Sequence, residues 1–396
     1  MLISDLSKSQ SLLLMVAGAK GAVGSTLTVA AAAMRTQPEA VLPSLMTGQM
    51  FPYLGPAQET HVVGWDTTNK TLLTAIEAHG VLPETLWKPH QNELDLVEVR
   101  LAPPANSGLK EQVEQLRSDI QTFREHYPQT KAVLINLLPA GASGDLGQCH
   151  SLAQLYSEAY PAGFPDLGYT LAAIFSGVPI VNFTPNEVEI PVIVREAEQL
   201  GVPISGRDGK TGQTYLKVVL ASALRARNLF VDGWYSLNIL GNEDGKNLMD
   251  PERAAEKLSN KTRILDGILG YQIGERYGIP SHKVRIDYYP PRGDAKEAWD
   301  VIDFLGLFGL RMSIRLNLQG RDSVLAVPLV LDLARWMAVL QAAGRSGPIP
   351  ELGFFFKQPI GDDPPLTFQD QVTKLGELEL ECDEKIAART TAGTKQ

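Results

Sequence analysis

Two lysines stand beside a polar, Gly-rich turn in the segment GNEDGKNLMDPERAAEKLSNKTRILD, which begins at Gly241. Asp250 followed by Pro251 is typical of a helix start, because aspartate caps the first turn and proline suits the first helical position. Lys257 and Lys261 would then share one helix face, at a small cost that a bound anion would reverse. The pair indicates either a solvated helix face or an anion site.

A second anion site is predicted near the N-terminus, in SLLLMVAGAKGAVGSTLTVAAAAMR. An apolar strand there runs into Gly18, Gly21 and Gly24, and an Ala-rich helix follows. Backbone N–H groups and the helix dipole would point at a phosphate, so the turn favours a dinucleotide over a purely structural role. Lys20 departs from the commonest fingerprint, which has glycine there, and Asp66 at the end of HVVGWDTTN is the candidate for the ribose hydroxyls.

The elements that must position these residues alternate between strands and helices. Strands are predicted in KAVLINLLPA, VPIVNFTP and VPISGRDGKTGQT, and helices in EQVEQLRSDIQTFREHY, GYTLAAIFSG and EIPVIVREAEQLG. This alternation predicts an α/β fold with a Rossmann-like, doubly wound parallel sheet. Ligands bind such sheets at the carboxyl ends of the strands.

The alternation of strands and helices ends after about residue 213. Beyond it, SLNILGN, KVRIDYYPP and FGLRMSIRLNLQG predict strands with long connections. We expect an inserted α+β domain over 214–322, between the Rossmann-like domain at 1–213 and its C-terminal return at 323–396. The apolar helix in SVLAVPLVLDLARWMAVLQAA should pack back on the first domain. The acidic, then Thr- and Ala-rich tail from about 377 is expected to be frayed.

Composition excludes several classes of protein. The chain has 396 residues, 44% of them hydrophobic and 20% charged, with a net charge of -9. This balance argues against nucleic-acid or membrane partners. Two cysteines and six scattered histidines predict neither a disulfide framework nor a metal site. The apolar run near the start is too short to span a bilayer, so we expect a buried strand and a cytoplasmic protein.

Taken together, the motifs resemble the inositol 3-phosphate synthase (myo-inositol 1-phosphate synthase) family. In chain order the similar segments are GAKGAVGST, VVGWDTT, PIVNFTPNEVEIP, GRDGKTGQT, LGNEDGKNL with EKLSNK, IDYYPPRGDAKEAWD, GRDSVLAVPLVLDL and FFFKQPI. Each segment alone is a weak signal, but eight in the family's order are a specific one.

The resemblance implies an NAD-dependent isomerase that converts D-glucose 6-phosphate to 1D-myo-inositol 3-phosphate. Carbon 5 of the sugar would be oxidised, the ketone would enolise, an intramolecular aldol step would close the ring, and carbon 5 would be reduced again. Family members are usually homotetramers that pair through the sheets of the inserted domain.

The resemblance also implies residue roles, carried over motif by motif, with Lys296 expected in a turn beside the cofactor. The implied catalytic residues are Lys257, Lys261, Lys296, Lys357 and Asp208. The implied substrate-binding residues are Thr211, Gln213 and Asn242. The implied cofactor-binding residues are Gly21, Ala22, Val23, Gly24, Asp66, Thr184, Asn242, Glu243, Asp244, Asp294, Asp322 and Ser323. The sequence departs from the family at Ala22, Val23, Phe183, Tyr215 and Glu243, where asparagine, glycine or lysine is frequent.

Three other functions stay open from the sequence. Cys149 in GQCHSLAQ could be the nucleophile of a phosphorylating aldehyde dehydrogenase, although the adjacent His150 does not by itself make a thiolate–imidazole pair. A related cyclase could act on another sugar phosphate while keeping the same four lysines. A non-catalytic NAD-binding protein is the third, against which the retained lysines and Asp208 argue.

Overall fold

A computed structural model describes residues 11–141, 149–157, 164–241, 245 and 264–393. Seven strands form a parallel sheet in the order β11-β6-β5-β4-β1-β2-β3. Their bounds are β1 Ser11–Ala17, β2 Thr60–Asp66, β3 Val99–Leu101, β4 Thr130–Asn136, β5 Ile180–Asn182, β6 Pro203–Gly206 and β11 Gly347–Pro348. The prediction of a doubly wound parallel sheet is confirmed.

The strand order reverses beside β1. Residues Leu12 to Ala17 of this strand pair with β2 on one side, and β4 pairs along its other side. The chain therefore winds outwards through β2 and β3 and then returns through β4, β5 and β6. Ligands of open α/β sheets bind at such a reversal, outside the carboxyl ends of the strands.

Helices cover both faces of this sheet. Their bounds are α1 Ala22–Thr36, α2 Pro38–Val41, α3 Leu72–His79, α4 Glu84–Trp87, α5 Gln91–Leu94, α6 Leu109–His126, α7 Leu152–Ser157, α8 Asp166–Phe175, α9 Pro191–Gln199, α10 Gly212–Ala226, α11 Asp322–Ala343 and α12 Phe368–Gly393. Residues 264–269 are also helical.

The apolar strand β1 divides the core. Leu12, Leu14 and Val16 pack with α1, α11 and α12, while Leu13 and Met15 pack with α6, α8 and α9. A strand covered on both faces reads as a continuous apolar run, which is why the sequence shows no alternation here.

A second, mixed sheet contains the strands in the order β10-β9-β7-β8. Their bounds are β7 Phe230–Leu240, β8 His282–Tyr288, β9 Ala295–Leu305 and β10 Arg311–Arg321. β7 runs parallel to β8 and antiparallel to β9, and β9 runs antiparallel to β10. The inserted α+β architecture is thereby confirmed, whereas the exact domain boundaries stay predictions.

Two C-terminal helices differ in how well the sequence predicted them. α11 is packed into the core of the first sheet, as expected. It is also the one helix in the described ranges that is long and apolar enough to cross a membrane, and it is mostly buried. The prediction of a frayed tail from about 377 was wrong for the described residues. α12 continues to Gly393, and Leu378, Cys382 and Ile386 are buried.

Candidate active site

The Gly-rich turn connects β1 to α1 at the strand-order reversal. Gly18 has a φ of 84°, a left-handed conformation that favours glycine, and its N–H donates to the carbonyl of Trp65 over 3.0 Å. A Cβ on Gly24 would lie 2.5 Å from the carbonyl oxygen of Gly18. Glycine at 24 therefore lets the helix start approach the turn, and Ala22 and Val23 begin that helix.

Asp66 joins the turn to the end of β2. Its Oδ2 accepts from the backbone N–H of Lys20 over 2.9 Å, and its Oδ1 accepts from the N–H of Thr68 over 3.1 Å. The Lys20 ammonium donates to the carbonyl of Thr68 over 2.8 Å. The residue that departs from the glycine fingerprint thus ties the turn to the loop after β2.

Thr184, which follows β5, continues the same edge of the sheet. Its hydroxyl donates to Asn182 Oδ1 over 2.7 Å, and its carbonyl accepts from the N–H of Asp208 over 2.7 Å. Asn182 in turn donates to the carbonyl of Asn186 over 2.7 Å. A buried hydrogen-bond network therefore connects a predicted cofactor residue to a predicted catalytic one.

Asp208 and Lys357 form an ion pair, with 2.7 Å between Oδ1 and Nζ. The Lys357 N–H also donates to the carbonyl of Asp208 over 2.7 Å. Asp208 has a φ of 59°, in the left-handed region that aspartate tolerates better than most residues. Only 15% of the lysine side chain and 10% of the aspartate side chain are exposed, so their attraction is weakly screened.

A second ion pair joins Lys296 to Asp322, with 2.9 Å between Nζ and Oδ2. The Thr211 hydroxyl donates a hydrogen bond to Asp322 Oδ1 over 3.2 Å. Burial alone would raise the pKa of Asp322, but Lys296, Lys357 and Thr211 outweigh it and hold that pKa below its ordinary value. Because Thr211, which bonds Asp322, is only three residues after Asp208, the two ion pairs lie in one site.

Lys296 is not in a turn, contrary to the expectation. It is the second residue of β9, and its backbone pairs with Gly320 of β10. Asp294 does precede the strand, and its Oδ1 accepts from the hydroxyl of Ser323 over 3.0 Å. The predicted cofactor residues Asp294, Asp322 and Ser323 therefore lie together at the start of α11.

Gln213 lies in the first turn of α10, and it is buried. Its Nε2 donates to Asp300 Oδ2 over 2.7 Å, and Asp300 Oδ1 accepts from Trp234 Nε1 over 2.8 Å. Lys217, one turn further along α10, bonds His282 Nε2 over 3.0 Å, and burial lowers the pKa of this lysine to about 8.

Sequence reasoning missed Asp300, Lys217 and a buried amide, Asn238. The spacing along the sequence could have indicated two of these residues, Lys217 and Asp300. Lys217 is four residues after Gln213 on a helix, and Asp300 is four residues after Lys296 on a strand, so each shares a face with a predicted site residue. For Asn238, neither amide atom has a hydrogen-bond partner among the described residues.

Five predicted site residues lie outside the described residues, so their placement stays a prediction: Asn242, Glu243, Asp244, Lys257 and Lys261. The predicted helix start at Asp250 and Pro251 lies there too. In the described part of the chain, no cluster of three His, Cys, Asp or Glu residues could hold a metal ion. Cys149 is completely buried in the core, which argues against its use as a nucleophile.

Comparisons with known proteins find the family that the sequence motifs resemble. Residues 212–323, which include α10, the second sheet and the start of α11, match the family described as Myo-inositol-1-phosphate synthase. Inositol-3-phosphate synthase 1 of Bacteroides thetaiotaomicron is 40% identical over 259 residues, which are 64% of this chain and 60% of that protein. The chain is a relative of the inositol-3-phosphate synthases.

The similarity to inositol-3-phosphate synthases extends to other organisms and to the fold. The enzyme of Dictyostelium discoideum is 30% identical over 68% of this chain and 57% of its own length. The Caenorhabditis elegans inositol-3-phosphate synthase structure has a TM-score of 0.81 and 21% identity, over 95% of this chain and 86% of that one. At that identity the structure shows the fold alone. The aligned region spans about 60% of the Bacteroides relative's length.

Two departures from the inositol-3-phosphate synthase motifs have structural consequences. Phe183 lies over Gly209, where a Cβ would be 2.1 Å from the ring, so the phenylalanine requires glycine in the Asp208 loop. Tyr215 packs its ring against Phe354 and Phe368, with centroids 6.2 and 6.0 Å away. The tyrosine therefore contributes apolar packing where many family members carry a lysine.

Proposed function

We propose that the chain is an NAD-dependent isomerase that converts D-glucose 6-phosphate to 1D-myo-inositol 3-phosphate. The observation that carries this proposal is the pairing of Lys357 with Asp208 and of Lys296 with Asp322 in one largely buried site. Oxidation of the carbon 5 hydroxyl to a ketone, enolisation of that ketone and aldol closure all develop negative charge on oxygen. Preorganised cations that face such oxygens usually make the largest single contribution to catalysis.

NAD fits the turn after β1. Glycine at 24 lets the start of α1 lie close against Gly18, and the N–H groups of the first helical turn point to this edge of the sheet. When bound there, NAD would accept a hydride from carbon 5 of the sugar and later return it. Gly21, Ala22, Val23 and Gly24 would hold the pyrophosphate, and Asp66 the adenosine ribose. Thr184, Asp294 and Ser323, with Asn242, Glu243 and Asp244, would complete the site.

A carboxylate at the end of β2 predicts a preference for NAD over NADP. Asp66 would repel a 2′-phosphate, and no arginine directly adjoins it in the sequence. Calorimetric titration of the protein with each cofactor should show tighter binding of NAD. Tighter binding of NADP would contradict the proposed role of Asp66.

Lys296 would stabilise negative charge on the carbon 5 oxygen and in the enolate. Its partner Asp322, whose pKa is held low, stays ionised and keeps the ammonium group in place. Lys357 would exchange a proton with the substrate, and Asp208 would orient it. Lys257 and Lys261 would bind the phosphate, and Thr211, Gln213 and Asn242 the hydroxyl groups.

Product analysis tests the reaction. The purified chain with NAD and glucose 6-phosphate should form an inositol phosphate, which ¹³C and ³¹P NMR distinguish from the sugar. A carbocycle formed only from another sugar phosphate would favour the related cyclase. Tight NAD binding with no turnover of any sugar phosphate would favour the non-catalytic protein.

A homotetramer is part of the proposal and is supported by the outer face of the second sheet. Tyr235 and Trp299 are 45% and 47% exposed there, and Leu237 and Val301 lie beside them in register. Light scattering should give a tetramer for the native chain and smaller species for Trp299→Arg. An unchanged mass for this variant would place the interface elsewhere.

A cytoplasmic location completes the proposal. Its support is that the sequence contains only two cysteines, which is too few for the disulfide framework typical of small exported domains.

A further inference from the structure

Asp300 is a buried carboxylate inside the second sheet, with 1% of its surface exposed. It accepts hydrogen bonds from Gln213 Nε2 on Oδ2, and from Trp234 Nε1 and the Ser236 hydroxyl on Oδ1. The Lys217 ammonium lies 3.9 Å from the same Oδ1. Three donors therefore converge on this carboxylate, and both of its oxygens act as hydrogen-bond acceptors.

An accepting carboxylate fixes the direction of the neighbouring amide. Gln213 must turn its NH₂ group towards Asp300, so its Oε1 points away from it. That oxygen is buried and has no hydrogen-bond partner among the described residues. Buried polar atoms are nearly always paired, so an oxygen left over in this way indicates a place for a ligand donor.

Gln213 also borders the paired lysines of the candidate active site. It follows Thr211 by two residues, and Thr211 bonds the same Asp322 that holds Lys296. Asp300 shares a face of β9 with Lys296, because residues two and four apart along a strand point the same way. The Gln213 amide and the Asp300 carboxylate therefore lie beside Lys296, at the edge of the candidate active site.

We propose that Asp300 is a positioning residue, which fixes the Gln213 amide so that Oε1 accepts a hydrogen bond from a hydroxyl group of the sugar phosphate. This inference rests on the proposed function for its substrate class. It adds the direction of one hydrogen bond: Gln213 Oε1 accepts from the substrate, and the protein cannot donate there. A site built to bind a hydroxyl in this way discriminates strongly against ligands that lack it.

Exchanging the two polar groups tests this polarity. In the double variant Asp300→Asn with Gln213→Glu, the introduced asparagine can still accept from Trp234 and Ser236 on its oxygen, while its NH₂ donates to the introduced glutamate. The second glutamate oxygen then faces the substrate as an acceptor, and the net charge is unchanged. Asp300→Asn alone frees the amide to rotate, and Gln213→Glu alone sets two carboxylates against each other.

The readouts are the dissociation constant of glucose 6-phosphate by calorimetry with NAD present, KM and kcat, and the melting temperature. Each single variant should weaken sugar-phosphate binding by about ten-fold or more, the loss expected for one such hydrogen bond. The double variant should recover most of that loss. The exposed Gln199→Glu is the matched control for the charge change and should bind as the native chain does.

Two outcomes would overturn the inference. If the double variant binds no better than the single variants, the substrate needs a donor there, which a glutamate cannot supply. If the single variants lower only the melting temperature and leave binding unchanged, Asp300 serves the fold alone. Sugar-phosphate binding without turnover in the native chain would refute the proposed reaction while these binding comparisons still decide the polarity.

Discussion

At the scale of single residues, Lys296 is the cation on which the proposed chemistry depends most. Its side chain is 14% exposed and bonded to Asp322, so it is held in place before substrate arrives. Sequence motifs pointed to Lys296 and to Asp322 separately, but not to their pairing, because the two are 26 residues apart and meet only through β9 and α11. Such pairings depend on tertiary structure, which local sequence patterns do not encode.

Replacing Lys296 by alanine should remove catalysis and spare the fold. Loss of a group that stabilises an oxyanion costs about a hundred- to a thousand-fold in turnover. Lys296→Arg should restore little, because a guanidinium is wider and does not release its proton near neutral pH. Steady-state kinetics measures turnover, NAD titration measures cofactor binding and thermal melting measures stability. The last two should stay close to those of the native chain.

The exposed Lys110→Ala is the control for Lys296→Ala and should keep native turnover. Near-native turnover of Lys296→Ala itself would mean that the active site is elsewhere.

Lys210 should make stability depend on pH. It is buried, it donates to the Gly353 carbonyl and to Gln371, and burial lowers its pKa from 10.5 to about 7. Between these two values the unfolded chain binds more protons than the folded one. The free energy of unfolding should therefore rise with pH across this window, by up to about 1.4 kcal/mol per unit from this group.

Urea unfolding of Lys210→Met at pH values from 7 to 10 should show a smaller rise than the native chain. The exposed Lys110→Met is the matched control and should keep the native slope. Equal slopes for Lys210→Met and the native protein would show that Lys210 does not titrate in this window.

At the scale of elements, the C-terminal helix shows where sequence reasoning failed. Acidic residues and the final Thr- and Ala-rich stretch suggested a frayed tail. The apolar residues Leu375, Leu378, Cys382 and Ile386 nevertheless recur every three or four positions and form one buried stripe. The strands of the parallel sheet were easier to predict, because long apolar runs next to glycine turns are a stronger signal than a narrow stripe in a charged helix.

Two leucines of α12 provide a matched test of that stripe. Leu378 is 1% exposed and packs in the main core, whereas Leu380 is 66% exposed. Leu378→Ala should lower the free energy of unfolding by about 2–5 kcal/mol, and Leu380→Ala by less than about 0.5 kcal/mol. Urea denaturation measures both. Equal, small effects would mean that the tail is not part of the folded core.

At the scale of the whole molecule, the parallel sheet and the mixed sheet each supply half of the proposed site. Turns after β1, β2 and β5 present the cofactor residues, and β9 with the starts of α10 and α11 presents Lys296, Gln213 and Asp322. The sequence predicted both sheets because strand periodicity and glycine turns are local. It could not predict the buried network around Asp300, because that network joins a helix to two strands.

The internal redox cycle is the central claim at this scale, and turnover at limiting NAD tests it most directly. Glucose 6-phosphate in large excess over NAD should be converted completely to inositol phosphate. The concentration of NADH, measured by its absorbance at 340 nm, should stay at or below the enzyme concentration throughout, because each hydride is returned. One NADH released for each sugar consumed would contradict the cycle and identify a simple dehydrogenase.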